Sequence, residues 1–358
     1  MTYNPAVKFI DELGVAYGVK HIDNKPRVSS IPYLYDIAEE EVAGHVSFRK
    51  MGYTPTMTTA ISDIWSAAGV YTFPTAAAGM ELLSSNNVDD IGTSIFSGNS
   101  TGGSTTTLID TAKDFTGGTP VAVGDCVILD KSGASPEYGY VTGVAVTTLT
   151  LASGFSSGGS GAGGRAYTVI DYSATAGAHA VGINYLDGSY AEKMEIAVLN
   201  GTTVVPTVNL DLFRINDFFI VATGSSGKST GNLTIRNLAD TPIYGYILAG
   251  YNAMRSSVYT VPASKTLYIV SICLSYGYST NQTHYSRLFA RASQDENGFV
   301  NKQPIRIFYP FAEVVCANTS QFLDLPSPTK LNEGADLKVS GIATFSGIAN
   351  CVIRGWIE

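Results

Sequence analysis

Hydrophobic and polar residues alternate with a period of two along most of this chain, the pattern of strands with one buried face. It is clearest from His179 to Val205, where two alternating runs meet at Asp187-Gly188. That dipeptide marks a two-residue hairpin turn with positive φ. Counting outward pairs Leu186 with Ser189, Tyr185 with Tyr190, Ile183 with Glu192 and Val181 with Met194. The register predicts one apolar face of Val181, Ile183, Tyr185, Tyr190, Met194, Ile196 and Val198, with Asn184, Ala191, Lys193, Glu195 and also Leu199 opposite. His179 falls on the apolar face, as a core or interface residue. Asn200-Gly201 ends the second strand.

The same period recurs elsewhere. Trp65 with Tyr71-Thr72-Phe73-Pro74 predicts one strand, and Met80 to Leu83 the next. Asp211–Gly224 and Gly231–Ala239 read as a second strand pair across a Gly/Ser loop, and Asp240-Thr241-Pro242 as a boundary. Tyr259 to Glu358 supplies further runs, SKTLYIVSICLSYGY, HYSRLFARAS, KQPIRIFYPFAEV, ADLKVSGIATF and NCVIRGWIE, with Pro262 and Pro304 at strand entrances. Between Thr106 and Asp171, short strand-like runs are separated by TGGTP, KSGASPE and SGFSSGGSGAGG. Flanked by Gly/Ser/Thr-rich stretches, that segment reads as a small inserted β module. Residues 1–46 differ: Asn4 and Pro5 begin one short helix through Val7, Phe9, Ile10 and Leu13, followed by Pro26, Pro32 and Glu39-Glu40-Glu41. This arm reads either as a segment draped over the next domain or as an anchor on a neighbouring subunit.

The expected fold is therefore all-β: two β-sandwich, jelly-roll-like domains with a small inserted barrel-like module and an N-terminal arm. The arm covers 1–46, the first sandwich 47–97 plus 172–240, the module 98–171 and the second sandwich 241–358.

Composition sharpens this. Of 358 residues only 15% are charged, against roughly 25% in an average soluble domain, while Gly numbers 37 and Tyr 21. Such a neutral, aromatic-rich surface suits packing against other protein surfaces. The formal net charge of −8 argues against a nucleic-acid partner, whose phosphates need Lys and Arg. No basic segment leading into an apolar one marks a signal peptide, and no apolar run approaches the ~18 residues of a membrane span. Cys126, Cys273, Cys316 and Cys351 lack metal-ligand spacing; Cys273 and Cys351 sit in apolar runs and read as small buried hydrophobes, with disulfide pairing open.

Motif matches are few. Ala222–Ser229, ATGSSGKS, comes within one residue of a phosphate-binding loop, but a strand-like run follows where that loop needs a helix; a hairpin loop is expected. Gly98–Gly102 fits a nucleophile elbow and Gly159–Gly164 a dinucleotide motif, both inside low-complexity sequence. Asp295-Glu296-Asn297-Gly298 reads as a polar turn, having too few oxygen ligands for calcium. His21, His45, His179 and His284 are scattered. No catalytic, cofactor-binding or metal residue is assigned.

Phe48-Arg-Lys-Met-Gly-Tyr-Thr-Pro55, Asp63-Ile-Trp65, Gly69–Pro74, the LDGSY turn (Leu186–Tyr190), LNGTT (Leu199–Thr203), Arg214-Ile-Asn216, Gly231–Ile235 and Val261–Val270 follow one another in an order that resembles a group of tailed-bacteriophage virion structural proteins. The resemblance covers about residues 47–97 and 172–358, and makes 98–171 an insertion similar to small β modules of phage structural proteins. It implies a head decoration, cement or head-fibre protein, made in the host cytoplasm and resident in the virion. Its partners would be itself, as a trimer by analogy with shell threefold sites, and the major capsid protein or other virion proteins. No cofactor, nucleic acid or membrane is implied. A second reading is a tail or vertex receptor-binding protein whose Tyr244, Tyr246, Tyr251, Tyr276, Tyr278 and Tyr285 meet host surface glycan. A polysaccharide depolymerase would need paired carboxylates in a groove, which nothing in the sequence marks.

Overall fold

The computed structural model describes residues 20–22, 25–27, 36–91, 95–131, 133, 136–152, 155, 164–279, 283–302 and 306–358. Strands are numbered in chain order. The described chain is all-β, with helical geometry only at residues 36–38. One sandwich stacks two antiparallel sheets. Its first sheet runs β3 (Val46–Met57), β25 (Gly347–Ile357), β20 (Leu267–Gly277), β23 (Thr319–Leu331). Its second runs β19 (Tyr259–Thr260), β24 (Asp336–Ala343), β21 (Ser286–Ala292), β22 (Tyr309–Cys316), with β4 (Ser62–Asp63) also on β24. Between them lies a continuous core that includes Met57, Ile269, Leu274, Leu288, Val339 and Ile353. Lettered in order, these strands give B-I-D-G and C-H-E-F, the jelly roll of two Greek keys.

Strand C of this jelly roll is made of two pieces far apart in sequence. Asp63 pairs with Ser340, the Ile64 amide donates to Val339 O at 2.8 Å, and Tyr259 then pairs with Leu337. Both pieces run the same way along one edge of β24, and Ser257 N bonds Ile64 O across the break. Everything from 65 to 256 is looped out there. Residues 47–63, which the sequence assigns to the first sandwich, thus belong to the C-terminal one. Alternation shows that a strand exists, not which distant strand it meets.

The looped-out chain builds the other sandwich. One sheet is β14 (Glu192–Val198), β13 (Ala178–Leu186), β16 (Arg214–Thr223); the other is β15 (Val205–Pro206), β5 (Met80–Ser84), β17 (Leu233–Asn237), β18 (Ile243–Ile247). The expected pair across the Gly/Ser loop is therefore an arch: β16 pairs β13, and β17 pairs β5 and β18. Asp240-Thr241-Pro242 is the turn of the β17–β18 hairpin, closed by Asn237 N to Pro242 O, and not a boundary. Trp65 to Pro74 forms no named strand; its rings make a small cluster with Val258.

The hairpin is present with a different turn and register. Tyr190 N donates to Asp187 O and Asp187 N to Ala191 O, while Asp187 Oδ1 takes the amides of Ser189 and Ala191. This is a three-residue loop whose left-handed residue is Tyr190, φ 65°, and not Gly188. Ile183 consequently pairs with Glu195 and Gly182 with Ile196. The odd shift turns the second strand over. Val181, Ile183 and Tyr185 join the core with Ala197, whereas Met194, Ile196 and Val198 point away from it.

That second face is buried too, under the inserted module. Strands β6 (Phe96–Asn99), β12 (Ala166–Ile170), β9 (Cys126–Leu129), β10 (Glu137–Ala145), β11 (Thr148–Leu151), β8 (Thr107–Ile109) and β7 (Gly102–Ser104) pair in that order. The end strands β6 and β7 are joined by Ser100-Thr101, whose amides bond Arg165 O and Ile109 O, so the sheet curls toward closure. Leu108, Phe115, Val127, Leu149 and Tyr167 fill it. Its outer side chains Cys126, Ile128 and Ile170 pack on Ala180, Ile196, Val221 and Ala222.

The arm is described in part. β1 (Lys20–Ile22) and β2 (Lys25–Arg27) form a hairpin. Ile37 and Val42 cover Trp356, and His45 Nε2 lies 3.0 Å from Glu358 Oε2, so this portion is draped on its own chain. The helix expected from Asn4 to Leu13, Pro32 and Pro304 lie outside the described residues.

Candidate functional site

The motif matches occupy ordinary turns. After β16 the loop of Ala222–Ser229 leads to β17, a strand, so no helix N-terminus faces it. Ser100 is buried between strands with its Oγ on Arg165 O. Asp295 Oδ1 is taken by the amides of Asn297 and Phe299, which leaves a self-satisfied turn. Most of Gly159–Gly164 lies outside the described residues. His284 stacks on Phe345 with ring centroids 4.4 Å apart. All four cysteines are free thiols; Cys126 and Cys351 are buried, which pushes each thiol up to about 12. Cys273, expected in the core, is only half-buried. The six tyrosines do not form one site: Tyr244 and Tyr251 pack in the first sandwich, Tyr246 joins the Trp65 cluster, Tyr276 meets Tyr278 with ring centroids 5.7 Å apart, and Tyr285 is exposed. Among the described residues no group of His, Cys, Asp and Glu could hold a metal, and no helix is long and apolar enough to cross a membrane.

Buried carboxylates tie the elements together. Between the sandwiches, Asp336 takes Arg214 Nε at 3.1 Å, Arg306 Nε at 2.6 Å and Thr260 Oγ1 at 2.6 Å. Beside it, Asp63 takes Lys338 Nζ at 2.9 Å, Arg291 at 3.2 Å, Ser340 Oγ and the Tyr71 amide. These four cations share two carboxylates. The surplus positive charge rests on carbonyl oxygens such as Pro74 O and on the faces of Phe73, Phe213 and Phe308. Inside the first sandwich, buried Asp89 accepts from the amides of Ala178, Thr230 and Gly231 and from Ser84 Oγ.

The outer face of sheet β3-β25-β20-β23 is a different kind of surface. Register places Met51, Val352, Cys273 and Phe322 side by side across all four strands. Met51 is 41% and Phe322 52% exposed. At the edge of the other sheet, Val315 on β22 is 60% exposed, in line with Arg287 and Ile342. This apolar row needs both the strand order and the β23 strand, which the prolines hide in the sequence.

A cavity of about 410 Å³ lies between the module and the hairpin sheet. Gly124, Cys126, Tyr140, Ile170 and Tyr172 line it from the module, and His179, Ile220–Gly224 and Asn252 from the sandwich. Tyr140 Oη donates to Val221 O at 2.6 Å across this seam. Burial raises the Tyr140 phenol to about 12 and lowers the His179 imidazole below its ordinary value. Nothing in the sequence marks Tyr140, Tyr172 and His179 as neighbours; the docking of the module brings them to one cavity.

The fold and these surfaces define a nested all-β protein, a jelly roll that carries a second sandwich, which in turn carries a curled β module. Comparison with protein-family models, curated proteins and solved structures gives no match in any of the three.

Proposed function

We propose that this chain is a structural component of a tailed-bacteriophage virion, a head decoration, cement or head-fibre protein that self-associates and binds the capsid shell. The ordered resemblance over residues 47–97 and 172–358 supplies the phage context. The structural observation that carries the reading is the apolar row Met51–Val352–Cys273–Phe322 on the outer jelly-roll face. An uncharged row spanning four strands is what the centre of a subunit interface needs, since interface cores lose charge and gain aromatics. Closed symmetric assembly uses one such patch repeatedly. A trimer with the major capsid protein as neighbour is the preferred arrangement.

Mass measurement of the purified chain tests self-association: an oligomer is expected, and Phe322→Asp should shift it to monomer without unfolding. A wild-type monomer at high concentration overturns the self-association. Copy number in purified particles tests location. Tens to hundreds of copies support the head, and a handful supports the alternative of a receptor-binding protein at the tail or vertex.

A further inference from the structure

A second hollow lies on the outer face of the jelly roll, and the strand register sets its floor. Leu274, Tyr276, Ala349 and Cys351 point into the core, so Ser275 and Asn350 between them point out. Ser320 pairs with Ser275, and Asn350 with Tyr53. This row runs across all four strands, one step beyond the apolar row of Phe322 and Met51. Gly277 follows on β20, where a Cβ would meet only Asn318 Oδ1 at 3.6 Å. Tyr278, Asn318 and Ile348 also line the hollow, which measures about 730 Å³, within the roughly 300–1,000 Å³ of small-molecule sites.

The polar side chains of the floor are accessible. Thr319, Ser320 and Asn350 are exposed and Ser275 is partly so. None of these four side chains has a hydrogen-bond partner among the described residues, so their donors and acceptors are free to meet a ligand. Tyr278 is half-buried and held in place. Its ring meets Tyr276 with centroids 5.7 Å apart and His284 edge-on at 5.1 Å, and His284 stacks in turn on Phe345. A ring fixed before the ligand arrives costs less to order on binding.

The lining says what kind of ligand fits. It holds no Lys, Arg, His, Asp or Glu, so an ion would lose its hydration with no opposite charge in return. An apolar ligand would strip water from the hydroxyls and the amide without replacing those bonds. What remains is a neutral ligand that brings hydroxyls for Ser275, Ser320 and Asn350 and a C–H face for Tyr278 and Ile348.

We infer that this groove is a binding site for an uncharged glycan, with sugar hydroxyls bonded to Ser275, Ser320 and Asn350 and a sugar face against the Tyr278 ring. Of the six tyrosines that the sequence offers for such a role, Tyr276 and Tyr278 line it. The site does not depend on the virion reading. It does lie beside the row assigned to self-association, so its test is run on the associating chain and on Phe322→Asp alike.

The full chain is titrated calorimetrically with maltotriose, cellotriose, chitotriose and mannotriose, with trigalacturonate as an anionic control. At least one neutral trisaccharide should bind. Ser275→Trp fills the groove from an outward position and should abolish that binding with unchanged melting. Tyr278→Ala should weaken it about tenfold; if that variant fails to fold, Ser275→Trp keeps the test valid. The inference is overturned if no neutral trisaccharide binds either the wild type or Phe322→Asp. It is equally overturned if trigalacturonate binds as tightly as the neutral sugars, or if Ser275→Trp or a folded Tyr278→Ala binds like wild type. Binding by Phe322→Asp alone upholds the site and shows that a neighbouring copy covers it. Binding by a wild type that stays monomeric upholds the site while the self-association reading fails.

Discussion

Tyr190 and Gly188 exchange the roles that their residue types suggest. The left-handed conformation falls on Tyr190 because the Asp187 carboxylate takes two loop amides and closes a three-residue turn. Tyr190 is repaid by contacts: its ring meets Phe213 edge-on at 5.6 Å, and its hydroxyl accepts from Arg306 of the jelly roll at 2.9 Å. Gly188 has an ordinary φ, and a Cβ there would meet only Ala77 Cβ at 3.6 Å. Gly188→Ala should therefore stay within about 0.5 kcal/mol of wild type. Gly201 is the demanding glycine, with φ +55° and the Asn87 backbone 3.0 Å from its would-be Cβ. Gly201→Val should cost about 1–3 kcal/mol, and urea denaturation of the two variants side by side checks the contrast. His179 carries a second prediction. Its imidazole is held below the ordinary value, chiefly by burial, so as pH falls below about 6.5 the unfolded chain takes up a proton before the native one does. Its contribution is present above that pH and is lost downward, by at most about 1.4 kcal/mol per pH unit. Glu195, raised by burial, acts in the opposite sense, losing its contribution as pH rises through its folded value. Comparing wild type with His179→Gln at pH about 7.5 and about 5.5 isolates the histidine. The wild type should lose more stability on acidification than the variant does.

At the scale of elements, strands were legible wherever one face is wet and the ladder is regular, and partners were not. β25 reads directly, because Ala349, Cys351 and Ile353 alternate with Asn350 and Arg354. β20 hides a slip: Leu267 and Ile269 point inward, the register shifts between Ile269 and Ser271, and Ile272, Leu274 and Tyr276 then take over. Opposite that shift, β23 runs from Asp324 to Thr329 without pairing, which is where Pro326 and Pro328 sit. Prolines tolerated in such a bulge are why the sequence concealed a strand of 13 residues. β13 misled differently. Both of its faces are covered, by the second sheet and by the module, so the alternation on β14 reports two separate burials and gives no vote on register. The cavity was illegible for the same reason: its walls come from strands that the chain brings together only through an insertion.

For the whole molecule, the question is whether nested insertion makes the parts separable, and the two seams answer differently. The sandwiches share the buried Arg214–Asp336 ion pair. Removing one partner of such a pair strands a charge, at a cost of about 3–5 kcal/mol, so the jelly roll and the first sandwich should melt together. The module is attached by apolar packing and by strands whose ends lie side by side. β6 and β12 are antiparallel neighbours, with Phe96 opposite Val169 and Ile95 N on Val169 O at 3.1 Å. A short Gly/Ser linker can therefore replace residues 96–170 without strain in what remains, because closing a short loop costs little when its ends already meet. The deletion is not silent, however, since Ala180, Ile196, Val221 and Ala222 lose the cover of Cys126, Ile128 and Ile170. The shortened chain should keep one cooperative unfolding transition and bind a hydrophobic dye that the full chain does not. A chain that is insoluble or melts without cooperativity would show that the module is part of the folding unit. A folded chain with no new dye binding would show that the hairpin's second face does not depend on the module for its burial.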